Sequence, residues 1–259
     1  MSDPDIEVRT YFAREKNALV ARGDFSEIYA AWYLHRVDNK IEIDDSADAM
    51  AKDALAAVTL HCAGRPWKVT CAWTVQLPHP RMNIFAAGDN NTGTVIVNLL
   101  TENLQPIDKG VFCSDMVEGF APSRRSVVDF EAHGFFGAVE AFYEKSEQRK
   151  VRFFHYGDDE FVMVAAQPDC DMEWLDSLTD ELVRKLDASV ELSLLEKRTF
   201  SFECGCNQER MLDFILPIFR REAEELFGKE QSIRILCPRC GARHTLTREA
   251  LEARSNTTA

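Results

Sequence analysis

The chain is 259 residues long, with 46% hydrophobic and 28% charged residues, a composition that excludes disordered and collagen-like classes. Its apolar runs are far shorter than the ~18 residues that a membrane span needs. The N-terminus is acidic and lacks the basic and apolar regions of a signal peptide. We therefore expect a cytoplasmic protein with no membrane partner.

The negative charge is confined to the first three quarters of the chain. The net charge is −13; residues 1–199 carry 21 Lys and Arg against 34 Asp and Glu, whereas residues 200–259 carry nine of each kind. A nucleic-acid binder needs basic side chains that neutralise phosphates. The charge distribution argues against a nucleic-acid partner and indicates an acidic body followed by a neutral tail.

The body alternates between helix and strand patterns. The first third is expected to be mostly helical, with helices over 25–34 and 46–61 and Ser46 as the N-cap of the second. From Trp67 to Val75 the larger apolar residues fall at every second position, which predicts a half-buried strand. Further strands are predicted over 82–87, 94–100, 126–130, 151–156 and 161–166, with a helix over 135–147.

These elements predict an α+β fold. A mixed helix and sheet domain is expected over residues 1–170. The charged, amphipathic stretch 173–196 predicts a helical linker over 171–199. A small C-terminal zinc-binding module is then expected over 200–259.

Four of the eight cysteines form two tight pairs in the tail. Cys204-Gly-Cys206 is followed by thirty residues and then by Cys237-Pro-Arg-Cys240-Gly241. Four thiolates so paired are typical of a closed tetrahedral site, for which zinc is the default metal. His244 lies close by but would be a fifth ligand, so we expect it at the surface or behind the ligands.

The segment between the two pairs predicts a small module. Residues 208–216 and 218–227 have helical patterns, and Pro217 is predicted to separate the two helices. Gly228 is predicted to cap the second helix, 233–236 to form a strand, and Thr247 to cap a last helix. A module of about 60 residues with so few core side chains usually needs a metal to fold.

The cysteine pattern resembles that of the redox-regulated 33 kDa heat-shock chaperonin family. The resemblance extends into the body, where Tyr143-Glu-Lys-Ser146-Glu147-Gln148 is similar to the family's Y-x-x-S-E-Q motif. Tyr11-Phe12 and the stretch 21–25 are similar to its N-terminal segment. The chain thus looks like a divergent member of that family along nearly its whole length.

The resemblance implies an ATP-independent holdase that binds unfolded client proteins. In the family, the reduced tail holds zinc and the protein is inactive. Oxidants release the zinc, neighbouring cysteines pair (here Cys204 with Cys206, and Cys237 with Cys240), the tail and linker unfold, and homodimers form. Independently, thiolates are the form of cysteine that peroxide attacks. Unfolding of the tail would expose six apolar side chains: Phe214, Ile215, Ile218, Phe219, Leu226 and Phe227.

Two other functions stay open at this stage. One is a constitutive interaction protein with a structural zinc tail and no switch, since the stretch between Pro168 and Cys204 is shorter than the family's usual linker. The other is a thiol–disulfide oxidoreductase that uses Cys204 and Cys206. The chain has no phosphate-binding, nucleophile-elbow or metalloprotease motif, so no catalytic residue is predicted and an enzyme is not expected.

The remaining candidate residues are expected to have structural roles. Cys62, Cys71, Cys113 and Cys170 are predicted to pack as small, inert hydrophobic residues. The motif residues Tyr143, Ser146, Glu147 and Gln148 are predicted to form a hydrogen-bond network at the end of a helix rather than to touch a client.

Overall fold

The structure, a computed structural model, describes residues 5–157 and 159–257. Within those ranges ten strands form one sheet, in the spatial order seventh, sixth, third, fourth, fifth, tenth, first, second, ninth, eighth. Neighbours are antiparallel except the fifth and tenth, which run parallel. The strands are β1 Asp5–Ala13, β2 Ala18–Asp24, β3 Val69–Leu77, β4 Met82–Asp89, β5 Thr94–Leu100, β6 Gly110–Glu118, β7 Arg124–Phe130, β8 Val151–Tyr156, β9 Glu160–Ala166 and β10 Leu192–Phe202.

Helices cover both faces of the sheet. The body helices are α1 Ser26–Asn39, α2 Asp45–Ala63, α3 Gly134–Phe142, α4 Met172–Ser177, α5 Asp180–Arg184 and α6 Leu186–Ser189. In β9 the side chains of Phe161 and Met163 join the core under α1, α2 and α3, whereas Val162 and Val164 join a second core under α4, α5 and α6. A strand that is buried on both faces has a nearly continuous run of apolar residues in its sequence, as β9 has.

The predicted α+β class is confirmed, and several elements match their predictions. In β3 the alternate residues Val69, Cys71, Trp73 and Val75 are buried, as the sequence pattern predicts. Trp67 does not belong to this strand: it precedes β3 and is about half exposed. The helix predicted over 135–147 ends earlier, because α3 passes into a π-helical turn over Tyr143–Glu147.

Two predictions for the first third of the chain are wrong. Residues 5–24 form no α-helix, because β1 and β2, joined by a 3-10 turn over Arg14–Lys16, make a hairpin in the middle of the sheet. Ser46 is not the N-cap of α2: the Asp44 carboxylate accepts a hydrogen bond from the Ala47 amide at 2.7 Å. An aspartate two residues earlier satisfies the free amides of the first turn, so the helix begins before Ser46.

The helical linker predicted over 171–199 is wrong in its second half. Three short helices end at Ser189, and β10 then pairs with β1 from Leu192 to Ser201 and with β5 at its end. The charges of this stretch mimic an amphipathic helix, but Arg198 is nearly buried and donates to the Cys62 carbonyl at 3.0 Å. Backbone pairing with β1 along its length, and with β5 over its last two residues, determines the strand.

The tail begins after β10 and contains α7 Gln208–Phe227, β11 Ser232–Leu236, β12 Arg243–Thr247 and α8 Arg248–Thr257. The predicted break at Pro217 is wrong, because α7 continues through it and departs from helical geometry only at Glu222. The predicted caps are confirmed: Gly228 ends α7 with φ of 54°, and the Thr247 hydroxyl accepts from the Ala250 amide at 3.2 Å.

In the described part of the chain, none of the helices has the length and apolarity that crossing a membrane requires.

The position of β10 inside the sheet predicts the pattern of limited proteolysis by trypsin. The peptide bonds after Lys197 and Arg198 lie in a strand that is hydrogen-bonded to β1 along its length, whereas the bond after Arg81 lies in the exposed β3–β4 turn. Cleavage needs local unfolding, so we expect cutting after Arg81 at least about tenfold faster than cutting within β10. Equal rates at the two places would mean that residues 192–202 are a linker after all.

Candidate metal centre

The structure brings all four tail cysteines together. Cys204 and Cys206 lie between β10 and α7, and Cys237 and Cys240 lie in the turn between β11 and β12. Their four sulfur atoms all lie within 4.8 Å of one another. The Sγ atoms of Cys204 and Cys237 are 3.8 Å apart, and those of Cys206 and Cys240 are 3.6 Å apart.

These separations fit a tetrahedral metal ion. A zinc–sulfur bond of about 2.3 Å places the sulfurs of a regular tetrahedron about 3.8 Å apart, which matches both measured pairs. A set of four thiols offers soft ligands and leaves no position for water or substrate. The donor set therefore suits a structural metal ion. His244 lies outside this group, half-buried on β12.

Two glycines let the chain turn tightly around the sulfurs. Gly241 has φ of 73°, and its amide donates to the Cys237 carbonyl at 2.8 Å. Gly205, between the first two cysteines, has φ of 63°. Both values lie in the left-handed region that favours glycine, so each pair of thiols is directed inward by a turn that other residues would strain.

The thiols also affect one another's ionisation. Hydrogen bonds from Cys240 and Cys237 lower the pKa of Cys204 to about 5, so Cys204 holds a negative charge at neutral pH. Burial and that charge raise the pKa of Cys206 to about 12, and the bond to Cys204 raises the pKa of Cys240. Thiolates are the form that binds metal, so binding would release the remaining thiol protons.

The 237–241 turn docks on the body through hydrogen bonds that the sequence did not reveal. The His35 ring on α1 contacts the Cys240 carbonyl at 2.8 Å, and the Asn98 amide on β5 donates to the Pro238 carbonyl at 3.0 Å. The Arg243 amide donates to the Asn39 side chain at 3.0 Å. No sequence signal connects residues more than 130 positions apart, so only the fold identifies these partners.

Comparison with known proteins gives one consistent result. The sequence model of the family described as "Hsp33 protein" matches residues 158–247, a range that includes all four tail cysteines. Proteins named 33 kDa chaperonin are similar to parts of the chain. The one from Caldanaerobacter subterraneus is 34% identical over 28% of this chain and 25% of its own length, and that from Photobacterium profundum is 30% identical over 45% and 49%.

Over residues 158–247 the chain is similar to the Hsp33 family.

The fold is also similar to that of a solved protein. The crystal structure of the 33 kDa chaperonin from Thermotoga maritima is similar to 97% of this chain and 98% of its own, with a TM-score of 0.73 at 15% identity. The chain spans between a quarter and about half of the length of the two curated relatives above.

The Y-x-x-S-E-Q residues lie at the end of α3, remote in sequence from the tail cysteines. The buried Tyr143 hydroxyl forms a 2.6 Å hydrogen bond with Nδ1 of His61 on α2. Glu147 accepts from Arg65 at 2.6 Å and from Arg124 at 3.3 Å.

The other two motif residues shape the end of the turn. Ser146 is half-buried within the π-helical turn. Gln148 ends the turn with φ of 53°, and its amide donates to the Tyr143 carbonyl. These contacts support the structural role that the sequence predicts for all four residues.

The body cysteines are thiols that divide into two kinds. Cys62 on α2 and Cys71 on β3 are fully buried with their sulfurs 3.4 Å apart. Cys113 and Cys170 are half-buried. Sequence reasoning treated all four as independent packing residues and missed the close pair, because the eight residues between Cys62 and Cys71 end a helix and begin a strand.

The buried His61 predicts a pH dependence of stability. Burial holds the pKa of His61 well below its ordinary 6.5 in the folded protein. The unfolded chain takes up a proton below that pH and the folded chain does not, so stability is present above pH 6.5 and is lost as pH falls. Each pH unit below 6.5 should lower the free energy of unfolding by up to about 1.4 kcal/mol.

Urea unfolding of the wild type and His61→Gln between pH 7.5 and pH 5 would measure this effect. The variant should lose less stability on acidification, since Gln does not titrate and the other titrating groups are shared. If the free energy of unfolding falls equally with pH in the two proteins, His61 takes up its proton as readily in the folded protein as in the unfolded chain.

Proposed function

We propose that this chain is a redox-regulated, ATP-independent holdase that binds unfolding proteins. The observation that carries the proposal is the closed group of four thiols, which joins the two ends of a segment with only a small core of its own. The similarity to the Hsp33 family supports the chaperone class, and the thiol chemistry supplies a means of control.

Zinc is the metal that we propose for Cys204, Cys206, Cys237 and Cys240. When bound, zinc supplies a cross-link between the 203–207 segment and the 237–241 turn, worth roughly 10–16 kcal/mol in comparable small modules. The chain contributes the preformed turns and the nearby thiolate of Cys204. The remaining apolar core of the tail is small: its buried side chains are Met211, Ile215, Leu216, Phe219, Phe227, Leu246 and Leu251.

The switch that we propose is oxidation of these thiols by a peroxide. In each pair, Cys204 with Cys206 and Cys237 with Cys240, the two thiolates lose two electrons in total and form a disulfide. One peroxide molecule accepts those electrons, takes up two protons from the solvent and is reduced to two molecules of water. The metal then has no thiolate ligands, and the tail loses its cross-link.

Unfolding of the tail would then expose its core to clients. Ile215, Phe219 and Phe227 are buried in the folded tail and would become accessible, whereas Phe214 is already 62% exposed. Flexible apolar side chains bind the exposed apolar segments of unfolding proteins without defined geometry. Because β10 belongs to the sheet, we propose that the mobile unit starts after Phe202 rather than at residue 200 or in a linker.

The same proposal includes partners and location. Clients are unfolded proteins, and the oxidised form is a homodimer joined through newly exposed apolar surface. The acidic body disfavours nucleic acid and anionic membrane surfaces. Reducing conditions that keep cysteines as thiols are those of the cytoplasm, where we place the protein.

A combined zinc and aggregation assay tests the function. The reduced protein should hold one zinc per chain and give little protection to a heat-unfolding model protein. Peroxide at mildly elevated temperature should release the zinc and produce protection, and a dithiol reductant with zinc should reverse both. Light scattering of the client and a colorimetric zinc indicator provide the two readouts.

Matched variants make that assay specific. Cys206→Ser should lose zinc and protect clients without oxidant, whereas Cys113→Ser should behave as the wild type. Zinc that stays bound with unchanged protection would contradict the switch and favour a structural zinc tail. Steady turnover of a dithiol substrate without client protection would favour an oxidoreductase.

A further inference from the structure

The buried thiol pair in the body is a second candidate redox site, separate from the tail. The sulfurs of Cys62 and Cys71 lie 3.4 Å apart, within hydrogen-bonding distance for sulfur. Cys62 stands in the last turn of α2, and Cys71 stands in β3. The two residues are joined by the connection 64–68, most of which is exposed.

The sheet leaves room for this contact at a glycine. Gly88 on β4 pairs with Cys71 in the neighbouring strand. A side-chain carbon added at Gly88 would lie only 2.6 Å from the Cys62 sulfur. The absence of that carbon lets the Cys62 sulfur settle against the sheet beside Cys71, so the pair occupies a space that a larger residue would close.

The connection 64–68 joins the helix of Cys62 to the strand of Cys71, and side-chain contacts hold it at two places. At the first, Arg65 donates to the Glu147 carboxylate at 2.6 Å. At the second, the Trp67 indole donates to the Glu196 carboxylate at 3.1 Å, with the Arg198 guanidinium 4.3 Å from the ring centre. The motif residue Glu147 therefore helps to fix the segment that links the two cysteines.

We infer that Cys62 and Cys71 form a reversible disulfide when the connection 64–68 opens in the presence of a peroxide. A disulfide bond of about 2.05 Å needs the sulfurs to approach by about 1.4 Å, a movement within reach of side-chain rotation and a small shift of the helix end. The two thiols lose two protons and two electrons, and the peroxide accepts them and gives two molecules of water.

The thiol pair in the body is expected to react later than the tail cysteines. Both sulfurs are fully buried, and the hydrogen bond with Cys71, followed by burial, raises the pKa of the Cys62 thiol. Both features slow the reaction of the Cys62 thiol with an oxidant as long as the body keeps its packing. The body disulfide therefore forms after the tail has reacted, and only under conditions that loosen the body.

Peptide mapping of the full-length protein tests the inference. Trypsin cuts after Lys52, Lys68 and Arg81 but not between Arg65 and Pro66, which leaves Cys62 in peptide 53–68 and Cys71 in peptide 69–81. After peroxide treatment with stepwise warming, alkylation and non-reducing digestion, mass spectrometry should find these two peptides linked. A dithiol reductant should separate them.

Two variants test the role of the connection. Glu147→Gln removes the ion pair that holds Arg65 of the connection and should speed linkage roughly fivefold, the effect of one part-buried pair on a local opening equilibrium. Glu131→Gln removes the exposed pair with Lys109 and should leave the rate unchanged. Circular dichroism would confirm that both variants are folded at the temperature used.

The outcomes are distinct. Cys62 and Cys71 alkylated or converted to sulfonic acids, without a linked peptide even in Glu147→Gln, would overturn the inference. Cys71→Ala should abolish the linkage. If that variant does not fold, the presence or absence of the linked peptides in the wild type decides whether the disulfide forms. Zinc binding and client protection are not read in this experiment, so failure of the proposed holdase function would leave its result intact.

Discussion

The convergence of four sulfurs is the constraint on which the tail depends. The segment after β10 has two cysteine pairs more than thirty residues apart, and its seven buried apolar side chains form a core far smaller than that under the sheet. Such a core does not stabilise a fold of this length by itself. A cross-link at the thiols supplies the missing stability, and because thiols are also the groups that oxidants attack, stability and control reside in the same atoms.

The body provides a fixed support for that labile unit. β10 is held by β1 and β5 up to Phe202, and the 237–241 turn rests on α1 and β5 through His35 and Asn98. The tail is therefore anchored covalently at one end and by hydrogen bonds near its thiols. Loss of the turn geometry would release both anchoring contacts together, which gives oxidation a larger structural effect than the chemistry of two disulfides alone.

The sequence predicted the elements whose signals are local. The alternation in β3 and the paired cysteines with their glycines need no distant partner, and both appear as predicted. β10 was misread because strand pairing and the Cys62 carbonyl, not its own residue pattern, determine its conformation and the burial of Arg198. Pro217 was misread because apolar residues on both sides of it pack into one core, which outweighs the local cost of proline. The docking contacts and the Cys62–Cys71 pair require the folded arrangement.

Hydrogen exchange by mass spectrometry tests most directly whether the folding of the tail depends on its thiols. The full-length protein would be compared with zinc bound and after removal of the zinc by chelator and peroxide. The account predicts that peptides from 204–257 lose protection almost completely, whereas peptides from the ten-stranded sheet, including β10, keep theirs. Retained protection in α7 and β12 after zinc removal would contradict it, because the tail would then fold without its cross-link.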